Sequence, residues 1–109
     1  MKKIMIVDDR AIFREPIAAL LKDNGFDVTC AENGRIALEK LGSLTPDLIL
    51  LDVAMPEMDG ITFLKEIRKD SEMPPLKIIL LTAVAEKDYI QVAHDLGIVD
   101  HMVKSYFSL

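Results

Sequence analysis

The 109-residue sequence contains a single cysteine, Cys30, so an internal disulfide is excluded. It also lacks any excess of positive charge: 13 Lys and Arg stand against 18 Asp and Glu, a formal net charge of −5. Unspecific binding to nucleic acid or to an anionic membrane is therefore disfavoured, because phosphate groups repel such a chain. Long hydrophobic runs are missing too. The longest apolar stretches span only a few residues, far below the roughly 20 of a spanning helix. Met1-Lys2-Lys3 before Ile4 to Val7 resembles the start of an export signal, but Asp8 and Asp9 interrupt it too early. A reducing, cytoplasmic home is the expectation. His94 and His101 do not stand at zinc-ligand spacing, and one cysteine is too few for a structural zinc site. No repeat, linker or low-complexity segment divides the chain.

What is present is a hydrophobic content of 50%, with 28% charged residues. That balance makes a globular domain rather than a disordered segment. Short solid apolar runs recur at Ile4 to Val7, Val28 to Ala31, Leu48 to Leu51 and Ile78 to Leu81, with a weaker one at Val99 to Val103. Runs of this length suit strands buried on both faces, as in a parallel sheet covered by helices. Between them lie helical stripes: Phe13, Ile17, Leu20 and Leu21, stopped by Gly25; Ile36, Ala37 and Leu41, stopped by Gly42; Ile61, Leu64, Ile67 and Arg68, closed by Pro74-Pro75; and Ile90, Ala93 and Leu96, stopped by Gly97. Strand and helix alternate four times and a fifth strand follows, which predicts a doubly wound α/β domain. Pro16 falls inside the first helix, where a proline costs about 3 kcal/mol. A kink, or a helix whose regular part begins later, is expected there.

In such sheets ligands bind beyond the carboxyl ends of the strands. The first strand ends in Asp8-Asp9, the third in Asp52, the fourth in Thr82-Ala83 and the fifth in Lys104. Three carboxylates at one edge repel each other, and a divalent cation relieves that repulsion. Oxygen-only ligands suit Mg²⁺ or Mn²⁺. A carboxylate beside such a metal can attack phosphorus and form an aspartyl phosphate. Lys104 would offer a point charge to a phosphoryl oxygen, Thr82 a hydroxyl donor, and the small Ala54 and Ala83 would let backbone N–H groups approach. The bland alternative for Asp8 and Asp9 is capping of the first helix. His94 reads as solvated surface, His101 as a partly exposed ring and Cys30 as a small buried apolar group.

Asp8-Asp9 after an apolar strand, the run Asp52-Val53-Ala54-Met55-Pro56-Glu57-Met58-Asp59-Gly60, Leu81-Thr82-Ala83 and Lys104 resemble the receiver domain of two-component response regulators. Ala31-Glu32-Asn33-Gly34 and Leu96-Gly97 fit the same pattern, and the resemblance covers nearly the whole chain in order. It implies a flavodoxin-like five-stranded parallel sheet of order 2-1-3-4-5. It implies that Asp52 accepts a phosphoryl group from a histidine kinase or a histidine phosphotransfer protein, and that an output domain or downstream protein reads the changed surface. Asp9, Asp52 and the Ala54 carbonyl would hold Mg²⁺ directly, and Asp8 mainly through water. Thr82 and Lys104 would hold the phosphoryl group, with Thr82 moving inward.

Two positions depart from the family. Ser105 follows Lys104 where proline is usual; a cis bond without proline costs ~2.5–4 kcal/mol, so a trans bond would set that loop differently. His101 stands where Tyr or Phe is usual, which makes the switch ring smaller, polar and titratable.

A phosphatase of the aspartyl-phosphate type would need a second acid two residues after the nucleophile, and Ala54 stands there. Turnover of outside substrates is thus not expected, and the resemblance implies that the chain assists its own phosphotransfer. A nucleotide or flavin binder would need a glycine-rich first turn, and Asp8-Asp9-Arg10 is the opposite. A receiver-like interaction module that signals without phosphorylation is the remaining alternative. The five residues after Lys104 are too few for a fifth helix of typical length, about 10–14 residues. The expectation is one receiver domain over 1–109 whose fifth helix is missing or incomplete, which leaves apolar surface beside the fifth strand open; a piece cut from a longer protein is the favoured explanation, with cover by a second copy of the chain or by a partner protein as the alternatives.

Overall fold

The computed structural model describes residues 1–53, 55, 58–69, 76–82 and 87–103. Strands and helices alternate along them: β1 (Lys3–Val7), α1 (Ala11–Asp23), β2 (Asp27–Ala31), α2 (Gly34–Leu41), β3 (Leu48–Asp52), α3 (Gly60–Lys69), β4 (Ile78–Thr82), α4 (Lys87–Asp95) and β5 (Asp100–Val103). All strand pairs are parallel, and the sheet order is β2-β1-β3-β4-β5. This is the flavodoxin-like doubly wound sheet, with four helices among the described residues. The segment 104–109, on which the fifth-helix expectation falls, lies outside them.

The solid apolar runs reflect burial on both faces of the sheet. Successive strand side chains point to opposite sides. Met5 and Val7 of β1, Ile49 and Leu51 of β3, and Ile78 and Leu80 of β4 join Ala37, Phe63, Leu64, Ile67 and Ala93 in one core, formed with α2, α3 and α4. Ile4, Ile6 and Leu81 join Ile17 and Ala18 of α1 in the other. Partly buried Val28, Cys30, Leu48, Leu50 and Ile79 pack against this second core. Cys30 is therefore half-buried, not enclosed, because β2 is an edge strand. Leu20, expected on the buried stripe of α1, is exposed, and so is Val99, which precedes β5.

Helix α1 begins at Ala11 and is continuous through Pro16, so its regular part does not begin later. Pro16 lies on the solvent face. It leaves the carbonyl of Ile12 without an intrahelical donor, and Ile12 is 80% exposed, so water can take the donor's place. Gly25 and Gly97 follow α1 and α4 with φ of 88° and 85°, the left-handed values that favour glycine at a helix end. No helix among the described residues is long and apolar enough to cross a membrane.

Candidate acidic site at the sheet switch point

Strand order reverses between β1 and β3, which lie side by side in register, Val7 opposite Leu51. At that point the next residues of the two strands carry carboxylates. Asp8 and Asp52 are buried, at 0% and 3% exposure, and Asp9 is exposed. Each of the three offers a carboxylate oxygen within 4.8 Å of the others. Three like charges this close, two of them out of water, are held apart only at an energetic cost, which a cation would remove. The donor set is all oxygen, and this suits a hard divalent ion that keeps several waters. The residues present fit such an ion.

The capping alternative is realised only in part. Asp8 Oδ1 accepts a hydrogen bond from the Arg10 backbone N–H at 3.0 Å, but α1 has Arg10 at its N-cap, with no side-chain cap bond. This bond turns the Asp8 carboxylate toward the chain's exit from β1. Arg14, one turn into α1, donates from Nη1 to the Asp8 carbonyl at 2.6 Å, and the Asp8 N–H donates to the Ala31 carbonyl of β2 at 3.1 Å. Asp8 is thus fixed by its backbone from two sides.

The Asp52 end of β3 is fixed by α3. Gly60 N–H donates to the Val53 carbonyl at 2.8 Å, and a Cβ on Gly60 would lie 2.3 Å from the Asp52 carbonyl oxygen. Only glycine permits this approach, because the obstacle is backbone. Asp59 caps α3 by accepting from Thr62 N–H at 2.8 Å. Met58 lies against Gly34 at the start of α2, whose own cap is the Asn33 side chain accepting from Ile36 N–H at 2.8 Å. Val53 and Met58 are thereby tied to the starts of α3 and α2.

Thr82 closes β4 and is 7% exposed. Its strand neighbour Leu81 is the register partner of Asp52, so Thr82 stands one residue further toward the sheet's carboxyl edge. His101 lies on β5 opposite Leu80. It is half-buried, and its ring meets that of His94 from α4. Ala54, Ala83 and Lys104, which the sequence places at this edge, lie outside the described residues, as does the Lys104-Ser105 bond. Gly60, Asp59 and Arg14 were not singled out as site residues in the sequence. For Gly60 the signal was available in Asp59-Gly60 so soon after Asp52, but the close approach itself is a tertiary fact.

Comparison with known proteins agrees with this geometry. The family model of the response regulator receiver domain matches residues 4–107. Chemotaxis protein CheY of Bacillus subtilis is 42% identical over 105 residues, 95% of this chain and 86% of that protein. Regulatory protein AtoC of Escherichia coli is 39% identical over 106 residues, but the chain spans only 23% of its length. Among solved structures, Vibrio cholerae CheY4 superposes with a TM-score of 0.90 at 33% identity, covering 98% of this chain and 89% of that one. The Thermotoga maritima response regulator TrrA, solved with Mg²⁺ and BeF, gives 0.83 at 37% identity, covering 97% and 89%. The chain belongs to the response regulator receiver domain family. Its carboxylate cluster is consistent with a phosphorylation-based switch that binds a divalent cation.

Proposed function

We propose that the chain is a cytoplasmic signalling switch, a single receiver unit over 1–109, in which Asp52 accepts a phosphoryl group from a phosphohistidine of a kinase or phosphotransfer protein. The observation that carries this reading is the meeting of Asp8, Asp9 and Asp52 at the sheet's switch point. An Asp52 carboxylate oxygen forms a bond to the donor's phosphorus while the P–N bond of the donor breaks. The electron pair leaves on the donor's imidazole nitrogen, which takes up a proton.

Mg²⁺, when bound, supplies positive charge against the acidic cluster and the phosphoryl oxygens. Asp9, Asp52 and the Ala54 carbonyl would hold it, and Asp8 would act through water. Burial of Asp52 excludes solvent from the acceptor, and this strengthens every charge interaction there. The Thr82 hydroxyl, the Lys104 ammonium and the N–H groups at Ala54 and Ala83 stabilise the phosphoryl oxygens. A shift of Thr82 toward them, with His101 on the neighbouring strand, alters the surface that an output domain, a downstream protein or a second copy of the chain recognises.

Incubation with phosphoramidate and Mg²⁺, followed by intact-mass measurement, tests this reading. One added phosphoryl group is expected, absent without Mg²⁺ and absent in Asp52→Ala. No adduct under any condition would leave an interaction module that signals without phosphate.

A further inference from the structure

The functional reading uses His101 as a ring beside Thr82's strand and gives His94 no role. The two imidazoles nevertheless meet. His94 Nε2 and His101 Nδ1 are 3.1 Å apart, with the rings nearly perpendicular at 88° and their centroids at 5.3 Å. The pair joins two different elements, α4 and β5, and neither ring is enclosed. Two imidazole nitrogens at that separation subtend roughly 95–102° at an ion ~2.0–2.1 Å from each. Such an angle suits neighbouring ligands in tetrahedral or tetragonal coordination. One N–H of the present hydrogen bond must move to the far ring nitrogen of its own imidazole, a tautomer change open to a ring with water access.

We propose that His94 and His101 form a second cation site, separate from the carboxylate cluster, that takes a nitrogen-preferring divalent ion of the zinc class and bridges α4 to β5. The two sites differ in chemistry. Imidazole favours Zn²⁺, Cu²⁺ and Ni²⁺ over Mg²⁺, whereas the all-oxygen cluster suits the hard ion. Water completes the coordination, because His94 is exposed and His101 only half-buried. An ion held from two elements stabilises the chain by ligand linkage and fixes α4 against the sheet edge.

Calorimetric titration of Zn²⁺ into the full chain, with Mg²⁺ in excess to fill the acidic cluster, tests the site. One Zn²⁺ per chain is expected. The affinity should fall about tenfold or more in His94→Gln and likewise in His101→Gln, since each removes one of two protein ligands. Cys30→Ser should leave it unchanged. Imidazole resonances of the wild-type chain give a reading that does not depend on the folding of any variant. Both histidine rings should shift on adding one equivalent of Zn²⁺. No binding, wild-type affinity in either histidine variant, or loss in Cys30→Ser would overturn the proposal. So would one Zn²⁺ per two chains with dimer formation in sedimentation, because the ion would then bridge copies and not α4 to β5.

Discussion

Replacing Gly60 by alanine should damage both the stability and the acceptor chemistry, although helix propensity argues the other way. In a helix interior alanine is favoured over glycine by about 0.8–1 kcal/mol. Here the new Cβ would lie 2.3 Å from the Asp52 carbonyl oxygen, 2.9 Å from Val53 Cα and 3.0 Å from the Asp52 carbonyl carbon. All three atoms are backbone, so no side chain can rotate away. Clearing even a 3.0 Å contact needs a shift of about 0.7 Å between α3 and the end of β3. Overpacking of this kind costs about 1–3 kcal/mol, and the upper end applies because the surroundings include the fully buried Phe63 and Leu64 of α3. A net loss of about 2 kcal/mol is expected in urea unfolding, equivalent to roughly 8 °C or more in melting temperature for a domain of this size. Misplacing a reacting group by up to about 1 Å costs on the order of 100-fold in rate. The rate of phosphorylation by phosphoramidate at saturating Mg²⁺ should fall by that order in the folded fraction. Gly42→Ala is the control, because its Cβ would meet only the Glu39 carbonyl, at 3.2 Å, at the end of α2. If Gly60→Ala were as stable and as fast as wild type, the close approach of α3 to Asp52 would be refuted as a determinant of the site.

Arg68 binds three carbonyls, with Nε on Leu96 at 2.9 Å and Nη2 on Leu76 and Gly97 at 3.1 Å each. Arg68→Ala should lose about 2 kcal/mol in urea unfolding, and Arg68→Lys should recover less than half of it, since one ammonium cannot span the three acceptors. Asn33→Ala removes the cap of α2 and should cost about 1 kcal/mol, measured in the same way. Mg²⁺ at 100 times its dissociation constant should stabilise the chain by about 2.7 kcal/mol in thermal unfolding. Asp9→Asn should lose most of that gain at the same Mg²⁺ concentration, and should be no less stable than wild type in chelator, because one of three clustered negative charges is gone.

The fold was legible in the sequence wherever burial was two-sided. β1, β3 and β4 fall on the solid runs Ile4 to Val7, Leu48 to Leu51 and Ile78 to Leu81; β1 is buried on both faces, whereas Leu48, Leu50 and Ile79 on the α1 side of β3 and β4 are partly buried. The same rule overstated Val28 to Ala31, since an edge strand is only half enclosed, and it extended β5 to Val99, which is exposed. Pro16 could not be placed by propensity alone. Whether it shortens α1 depends on which face it occupies, and the solvent face tolerates it. In the site, Asp8, Asp9 and Asp52 were legible because strand ends converge in a parallel sheet whatever the details of the loops. Gly60 and Arg14 were not, because their roles are contacts to backbone atoms made only after the sheet forms. The meeting of His94 and His101 is likewise set by how α4 lies on the sheet edge, which no local spacing encodes.

The central claim is that Asp52 is the group that takes up phosphate. Borohydride reduction of the phosphoramidate-treated chain converts an aspartyl phosphate to homoserine, which mass spectrometry of the resulting peptides locates. Homoserine at position 52 alone, and only when Mg²⁺ was present, is the predicted result. Homoserine at position 8 or 9, or at no position in a chain that has gained phosphate, would contradict it.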